Sequence, residues 1–258
     1  MNSNTTLLEV ARTTRGMWTS SLKVRAAFAW LTLLLLLAVV GARVPAGLGL
    51  WPLVAHGAYD LVICLLGSLL LSGFVGSVMG ALAGLARGVL DRAMTRIFEV
   101  FGALPVVIVA VVVGAASSAS PWPLVLAVGL TRWVEIARLV RTQVRHALAQ
   151  DYVTAARALG LGRLSVLWRH IAPNAAGPVI VGLSFSASGL IALRTLVGFV
   201  LPHAGGTPNW GNVLRLWSSG DPWWQFAVPS LFLMLTLLSQ NVVAEALRGA
   251  LDSGDEPG

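Results

Sequence analysis

Polar and apolar positions alternate in long blocks along this chain, with neither the period of an amphipathic soluble helix nor the alternation of a strand. Runs of about 20 apolar residues recur, and at 1.5 Å rise per residue each is long enough to cross a hydrocarbon core of about 30 Å. Six such runs are readable: Arg25 to Val44, Leu61 to Ala86, Ile97 to Ala116, Pro121 to Val140, Ala175 to Leu201, and Phe226 to Leu247. They predict an all-α integral membrane protein with six transmembrane helices. The domain reading is a short N-terminal segment (1–24), a membrane domain (25–248) and a short tail (249–258). One long polar interruption, 151–173, divides the fourth run from the fifth. It predicts two short helices joined at Gly160, a helical hairpin at the membrane surface.

Composition agrees. Of the 258 residues, 56% are hydrophobic and 11% charged, with a mean hydropathy of +0.78. Soluble domains carry about 25% charged residues, so part of this surface is covered by lipid. The net charge of +7 comes from arginines gathered between the apolar runs, and not from a basic face suited to nucleic acid. With the N-terminus inside, Arg12, Arg15, Lys23, Arg25, Arg87, Arg92, Arg96, Arg138, Arg141, Arg145, Arg157, Arg163, Arg169 and Arg248 fall on the cytoplasmic side. Arg43 and Arg215 fall outside, and Arg132 and Arg194 fall within spans. This asymmetry follows the positive-inside rule and places both termini in the cytoplasm. The first run reads as a retained span, since no small-residue cleavage site follows it.

Candidate chemistry is sparse. The single cysteine, Cys64, sits in an apolar run, and no clustered Cys/His spacing marks a metal site. His56 and His203 are isolated in separate outer segments, a weak basis for metal transport. Lys23 is the only lysine, so no Gly-x-x-x-x-Gly-Lys-Ser/Thr loop exists to hold ATP, and neither Gly-x-Ser-x-Gly nor His-Glu-x-x-His occurs. The chain is not expected to be an enzyme and needs no cofactor. Outer connections rich in Trp (Trp210, Trp217, Trp223, Trp224) read as an interfacial belt or a docking surface. The stripe Gly76, Gly80, Gly84 allows close helix packing, either within the chain or against another subunit.

The hairpin carries the strongest signal. Asp151-Tyr-Val-Thr-Ala155-Ala156-Arg157-Ala-Leu159-Gly160 is followed, after nine residues, by His170-Ile-Ala-Pro173-Asn174. This spacing resembles the EAA loop of ABC importer permeases, closest to the dipeptide, oligopeptide and nickel permease family. Thr154 and Ala172 stand where that family shows Glu and Leu. Asp91, Arg96, Glu99, Leu104 and Pro105 resemble the family's signature before its third span, and Val197-Gly198-Phe199 and Pro208-Asn209-Trp210-Gly211 resemble two later segments. The resemblance covers about residues 60 to 252. The family's Gly-Thr-Asp and Gly-Arg-Asp outer loop is missing between Arg43 and Asp60, which implies a reduced docking surface for a binding protein.

The resemblance implies a type I ABC importer permease (MetI-like) fold in the bacterial inner membrane. It also implies a second permease subunit, two ATP-binding subunits and an extracytoplasmic substrate-binding protein as partners. The cargo would be a di- or oligopeptide, or nickel. The hairpin would be the coupling helix, with Ala155, Ala156, Arg157, Leu159, Gly160, Arg163 and Pro173 at the ATPase contact. On the residues, Ala155, Ala156 and Leu159 are expected to share one face, with Leu164, Leu167 and Ile171 on the second helix and Pro173 ending it. Arg194 stands where the family commonly has Glu, and is a candidate pathway residue or one half of a structural pair. Asp91 with Arg96, or Arg96 with Glu99, can pair at the third span's start. Channel, export and scaffold roles remain open from the residues alone.

Overall fold

Each apolar run folds into helix because a backbone in hydrocarbon must satisfy its own hydrogen bonds. The computed structural model describes residues 22–43, 50–116, 121–158, 162–201, 209–216 and 222–252. Among these there is helix and no strand. The elements are α1 (Leu22–Gly41), α2 (Leu50–Leu85), α3 (Val89–Gly102), α4 (Val106–Ala116), α5 (Trp122–Leu148), α6 (Asp151–Ala158), α7 (Arg163–Val166), a π-turn (Leu167–Ile171), α8 (Ala172–Val200), α9 (Trp210–Leu216) and α10 (Trp224–Asp252).

Four helices, α1, α2, α8 and α10, are long and apolar enough to cross a bilayer, and α3 with α4 forms a fifth, broken span bent by 62°. The expected third span is therefore not one straight helix. Pro105 removes a backbone donor and pushes Leu104 out of helical geometry, so α3 stops at Gly102 and α4 restarts at Val106. The expected fourth span lies on α5, whose 27 residues reach about 40 Å. Its charged positions, Arg132, Glu135, Arg138 and Arg141, leave it outside the helices apolar enough to cross a bilayer, so five of the six expected spans are present among the described residues. The second span is longer than expected, since α2 begins at Leu50 and absorbs much of the presumed outer connection.

Helix α2 packs along its length on α5 through the glycine stripe. A Cβ at Gly76 would meet Ile136 Cβ and the Trp133 carbonyl at 2.7 Å, one at Gly80 the Ala137 carbonyl at 2.5 Å, and one at Gly84 Val144 at 2.6 Å. The stripe therefore serves packing within this chain. Turning from α2 into α3 requires Gly88, whose φ of 62° disfavours any side chain.

Three cores fill the bundle above the hairpin. Leu34, Leu37, Val54, Leu61, Trp210 and Leu233 join α1, α2, α9 and α10 at one end. Ala110, Leu124, Val128, Leu193 and Val197 join α4, α5 and α8. Met94 and Phe98 of α3 meet Trp133 and Ala137 of α5, with Phe98 and Trp133 edge to face at 5.7 Å. Outward positions such as Leu36, Leu70, Phe74, Val112 and Leu238 are apolar and exposed, as expected where lipid is the solvent.

Two sequence readings change. Trp210 is not part of an interfacial belt. It is 2% exposed, packed where Gly57 leaves room and edge to face with Phe232. Trp223 is 74% exposed. Asp91 does not pair with Arg96. It accepts hydrogen bonds from Arg141 and, at 2.6 Å, Arg145 of α5, leaving Arg96 to pair with Glu99 at 2.7 Å.

Gly80→Ala is expected to cost about 1–3 kcal/mol by overpacking the α2–α5 seam. Gly73→Ala is expected to cost less, because its Cβ would meet only the flexible Leu183 side chain, at 3.3 Å. Thermal unfolding of the two variants in detergent, followed by light scattering, checks the order.

Candidate functional site

Two features stand out: the hairpin at the arginine-rich end and a buried ion pair toward the other.

The hairpin begins two residues after α5 ends, with Asp151 in the first turn of α6. Val153 and Ala156, three apart, face inward and are buried, and Asp151, Tyr152, Thr154 and Ala155 are exposed. Ala155 and Ala156 are thus on opposite faces, contrary to the expected shared face, because neighbouring residues on a helix are about 100° apart. The second arm is α7 and the π-turn. Its Val166, Leu167 and Ile171 are buried with Val153 and Ala156 against Ile136, Val140, Val144 and Ala147 of α5. The expected inward set of Leu167 and Ile171 is present, joined by Val166. The Leu164 side chain lies outside the described residues, as do Leu159, Gly160 and the side chains of Arg157 and Arg163.

Pro173 does not end the second arm. The chain passes through the π-turn directly into α8, and Pro173 sits in that helix's first turn. The hairpin is therefore continuous with a span. The arms also meet at their far ends, where Asn174 Nδ2 donates to Tyr152 Oη at 3.3 Å. The result is a compact element with an apolar side fixed to α5 and α8, and a polar, small-residue side facing away.

The ion pair joins α8 to α2. Arg194 Nη2 donates to Asp60 Oδ1 at 2.7 Å, with the side chains 5% and 1% exposed. Sequence reading singled out Arg194 but not Asp60, 134 positions away, because nothing in a one-dimensional pattern joins them. Both line a small gap with Gly57, Thr195, Asn209 and Trp210. On the far side of Arg194, Cys64, Ser68, Leu124 and Val128 line a second gap. Helix α9 closes the outer side. Gly198 makes room for the Asn209 side chain and Gly211 for the Thr195 carbonyl, while Asn209 Oδ1 caps α9 by accepting from the Asn212 N–H at 2.9 Å. Arg132, the other arginine read within a span, pairs with Glu135 on its own helix at 2.8 Å.

A membrane protein without a nucleotide loop, whose surface helical hairpin is fused to a span, has the architecture of a transporter's membrane component. Residues 76–254 match the family described as binding-protein-dependent transport system inner membrane component, and the chain belongs to that family. It is 32% identical over 202 residues to the di/tripeptide transport system permease protein DppC of Pseudomonas aeruginosa (strain UCBPP-PA14), covering 76% of this chain and 66% of that one. It is 29% identical over 221 residues to the oligopeptide transport system permease protein OppC of Bacillus subtilis (strain 168), covering 83% and 66%. The dipeptide transport system permease protein DppC of the same strain is 29% identical over 188 residues, covering 71% and 58%. The chain thus spans about two thirds or less of the length of these curated relatives. Its fold is similar to a chain of the inward-facing MetNI methionine ABC transporter, with a TM-score of 0.54 at 19% identity, covering 74% of this chain and 96% of that one. A second crystal form gives 0.55 at 16% identity, covering 77% and 97%. The fold is that of a type I ABC importer permease.

Removing one member of the ion pair leaves the other charge buried without its counter-ion. Asp60→Asn and Arg194→Gln are each expected to cost about 3–5 kcal/mol. The Asp60→Asn, Arg194→Gln double variant is expected to cost less than the sum of its singles. A double-mutant cycle on detergent unfolding midpoints checks this.

Proposed function

We propose that this chain is the permease subunit of an ATP-driven importer for di- or oligopeptides. It would work with a second, related permease, two ATP-hydrolysing subunits and an extracytoplasmic binding protein. The observation that carries this reading is the hairpin. Its apolar side is fixed to α5 and α8, and its opposite face, with Asp151, Thr154 and Ala155, is exposed at the arginine-rich end. Such an element transmits a rigid-body push from a soluble partner into two spans at once. ATP hydrolysis belongs to the partner, as this chain has no P-loop.

The coupling contact comprises Ala155, Ala156, Arg157, Leu159, Gly160, Arg163 and Pro173, in three roles. Ala155 touches the partner directly. Ala156 and Pro173 act from behind, Ala156 by seating α6 on α5 and Pro173 from the first turn of α8. Arg157, near the end of α6, and Arg163, at the start of α7, flank the junction of the arms, and Leu159 and Gly160 belong to the contact by the family-like spacing. Residues 1–24 and 249–258 flank the membrane domain 25–248 on the cytoplasmic side, with the arginine bias as support. Peptide is favoured over nickel by the names of the relatives, which are peptide permeases.

Arg194 is the candidate pathway residue. A buried charge in a membrane protein is costly, and one that is retained is a candidate for a functional role as well as for a structural pair. The place of Arg194 near the far end of α8, away from the hairpin, supports a role in the path opposite the ATPase contact.

Ala155→Trp is expected to abolish peptide uptake by a tagged complex while the chain still assembles with its second permease, because only the exposed face changes. Ala156→Trp is expected to fail earlier, in assembly, since that position is buried. Labelled-dipeptide uptake into cells or proteoliposomes, with co-purification as the assembly control, checks both. Normal uptake by Ala155→Trp would exclude the coupling role.

A further inference from the structure

Tyr152 and Asn174 lie at the two ends of the family-like segment, and the coupling contact uses neither. The fold brings these residues together through their hydrogen bond. They also line an open hollow of about 290 Å³, completed by Gln143, His146 and Ala147 of α5, Gln150 just beyond it, and Ala175 of α8.

The lining chemistry restricts the occupant. Three carboxamides, an imidazole and a phenol offer donors and acceptors together, with no carboxylate or guanidinium among the described lining residues. An apolar plug would strand these groups away from water, and an ionic one would find no opposite charge in the wall. At the low end of ligand-site volumes, about 300–1,000 Å³, the hollow takes one or two neutral hydrogen-bonding side chains, or a tight backbone turn, better than a whole solute. Its position restricts the source. Tyr152 is both a wall of the hollow and a residue of α6, next to the exposed Asp151, Thr154 and Ala155. A protein seated on that helix reaches the wall of the hollow at Tyr152.

We propose that the hollow is a socket for a neutral polar side chain or backbone turn of the ATP-hydrolysing subunit. This rests on the coupling reading and adds a second point of attachment to it. The hairpin alone would pass force to the spans through its own packing. The socket grips the end of α5 at Gln143 and His146 and the start of α8 at Asn174, so the partner holds both spans directly. The Tyr152–Asn174 bond links two of the socket's walls.

The test uses the tagged full chain, purified from its host with its ATP-hydrolysing subunit, which mass spectrometry identifies by its P-loop sequence. A diazirine-bearing amino acid is placed at position 143 and, separately, at 155, and the complex is illuminated. Crosslinking of the ATP-hydrolysing subunit at both positions is the expected result. Crosslinking at 155 without 143 overturns the socket and leaves the coupling reading standing. Absence of crosslinking at both overturns the coupling reading and the socket with it. In parallel, Gln143→Leu is expected to lower peptide uptake about three- to tenfold, the scale of one lost hydrogen bond, with the crosslink at 155 retained. Unchanged uptake by Gln143→Leu overturns the socket.

Discussion

The close approach of α2 and α5 is the constraint on which the rest depends. In lipid, helices gain nothing by burying apolar surface against one another, so their association rests on contact at short range. Gly76, Gly80 and Gly84 provide it, bringing the α2 backbone against Trp133, Ile136, Ala137 and Val144 of α5. Helix α5 carries more charge than any other span and would be a poor membrane helix by itself. Fixed in the seam, it presents Ile136, Val140, Val144 and Ala147 as the floor on which the hairpin sits, and turns Arg141 and Arg145 toward Asp91 of α3. The hairpin's position is thus a consequence of glycines on a different helix.

The other end of the bundle is organised by charge. The Asp60–Arg194 pair links α2 to α8, and α9 closes over it with Asn209 and Trp210 seated in notches left by Gly198 and Gly57. Glycine therefore serves both ends, admitting a backbone in the seam and side chains around the ion pair. The two ends share α2 and α8, so a displacement of the hairpin that moves the start of α8 acts on the same helix that holds Arg194 near its other end.

Much of the site was legible because its signals are local. The hairpin's existence follows from a polar interruption between apolar runs, and the inward placement of Leu167 and Ile171 follows from their four-residue spacing. Its internal geometry was less accessible. Ala155 and Ala156 read alike as small residues of one motif, yet one faces out and the other in, because only contact with α5 decides which side of α6 is buried. Pro173 looked like a stop and is a start, because the π-turn before it carries the chain into α8 without a break.

The sequence by itself determined the solvent, the helical class, the run of apolar segments and the charge asymmetry, since each depends on composition within a window of about 20 residues. It also held the family-like spacing of the hairpin. Only the tertiary structure decided that Asp60 meets Arg194, that Asp91 prefers α5 to its own helix, that Trp210 is core, and that Tyr152 and Asn174 share a hollow. The physical reason is common to all four. Each is a contact between residues 22 or more positions apart, set by how rigid helices rotate and approach one another, and that rotation is fixed by the whole set of packed faces at once.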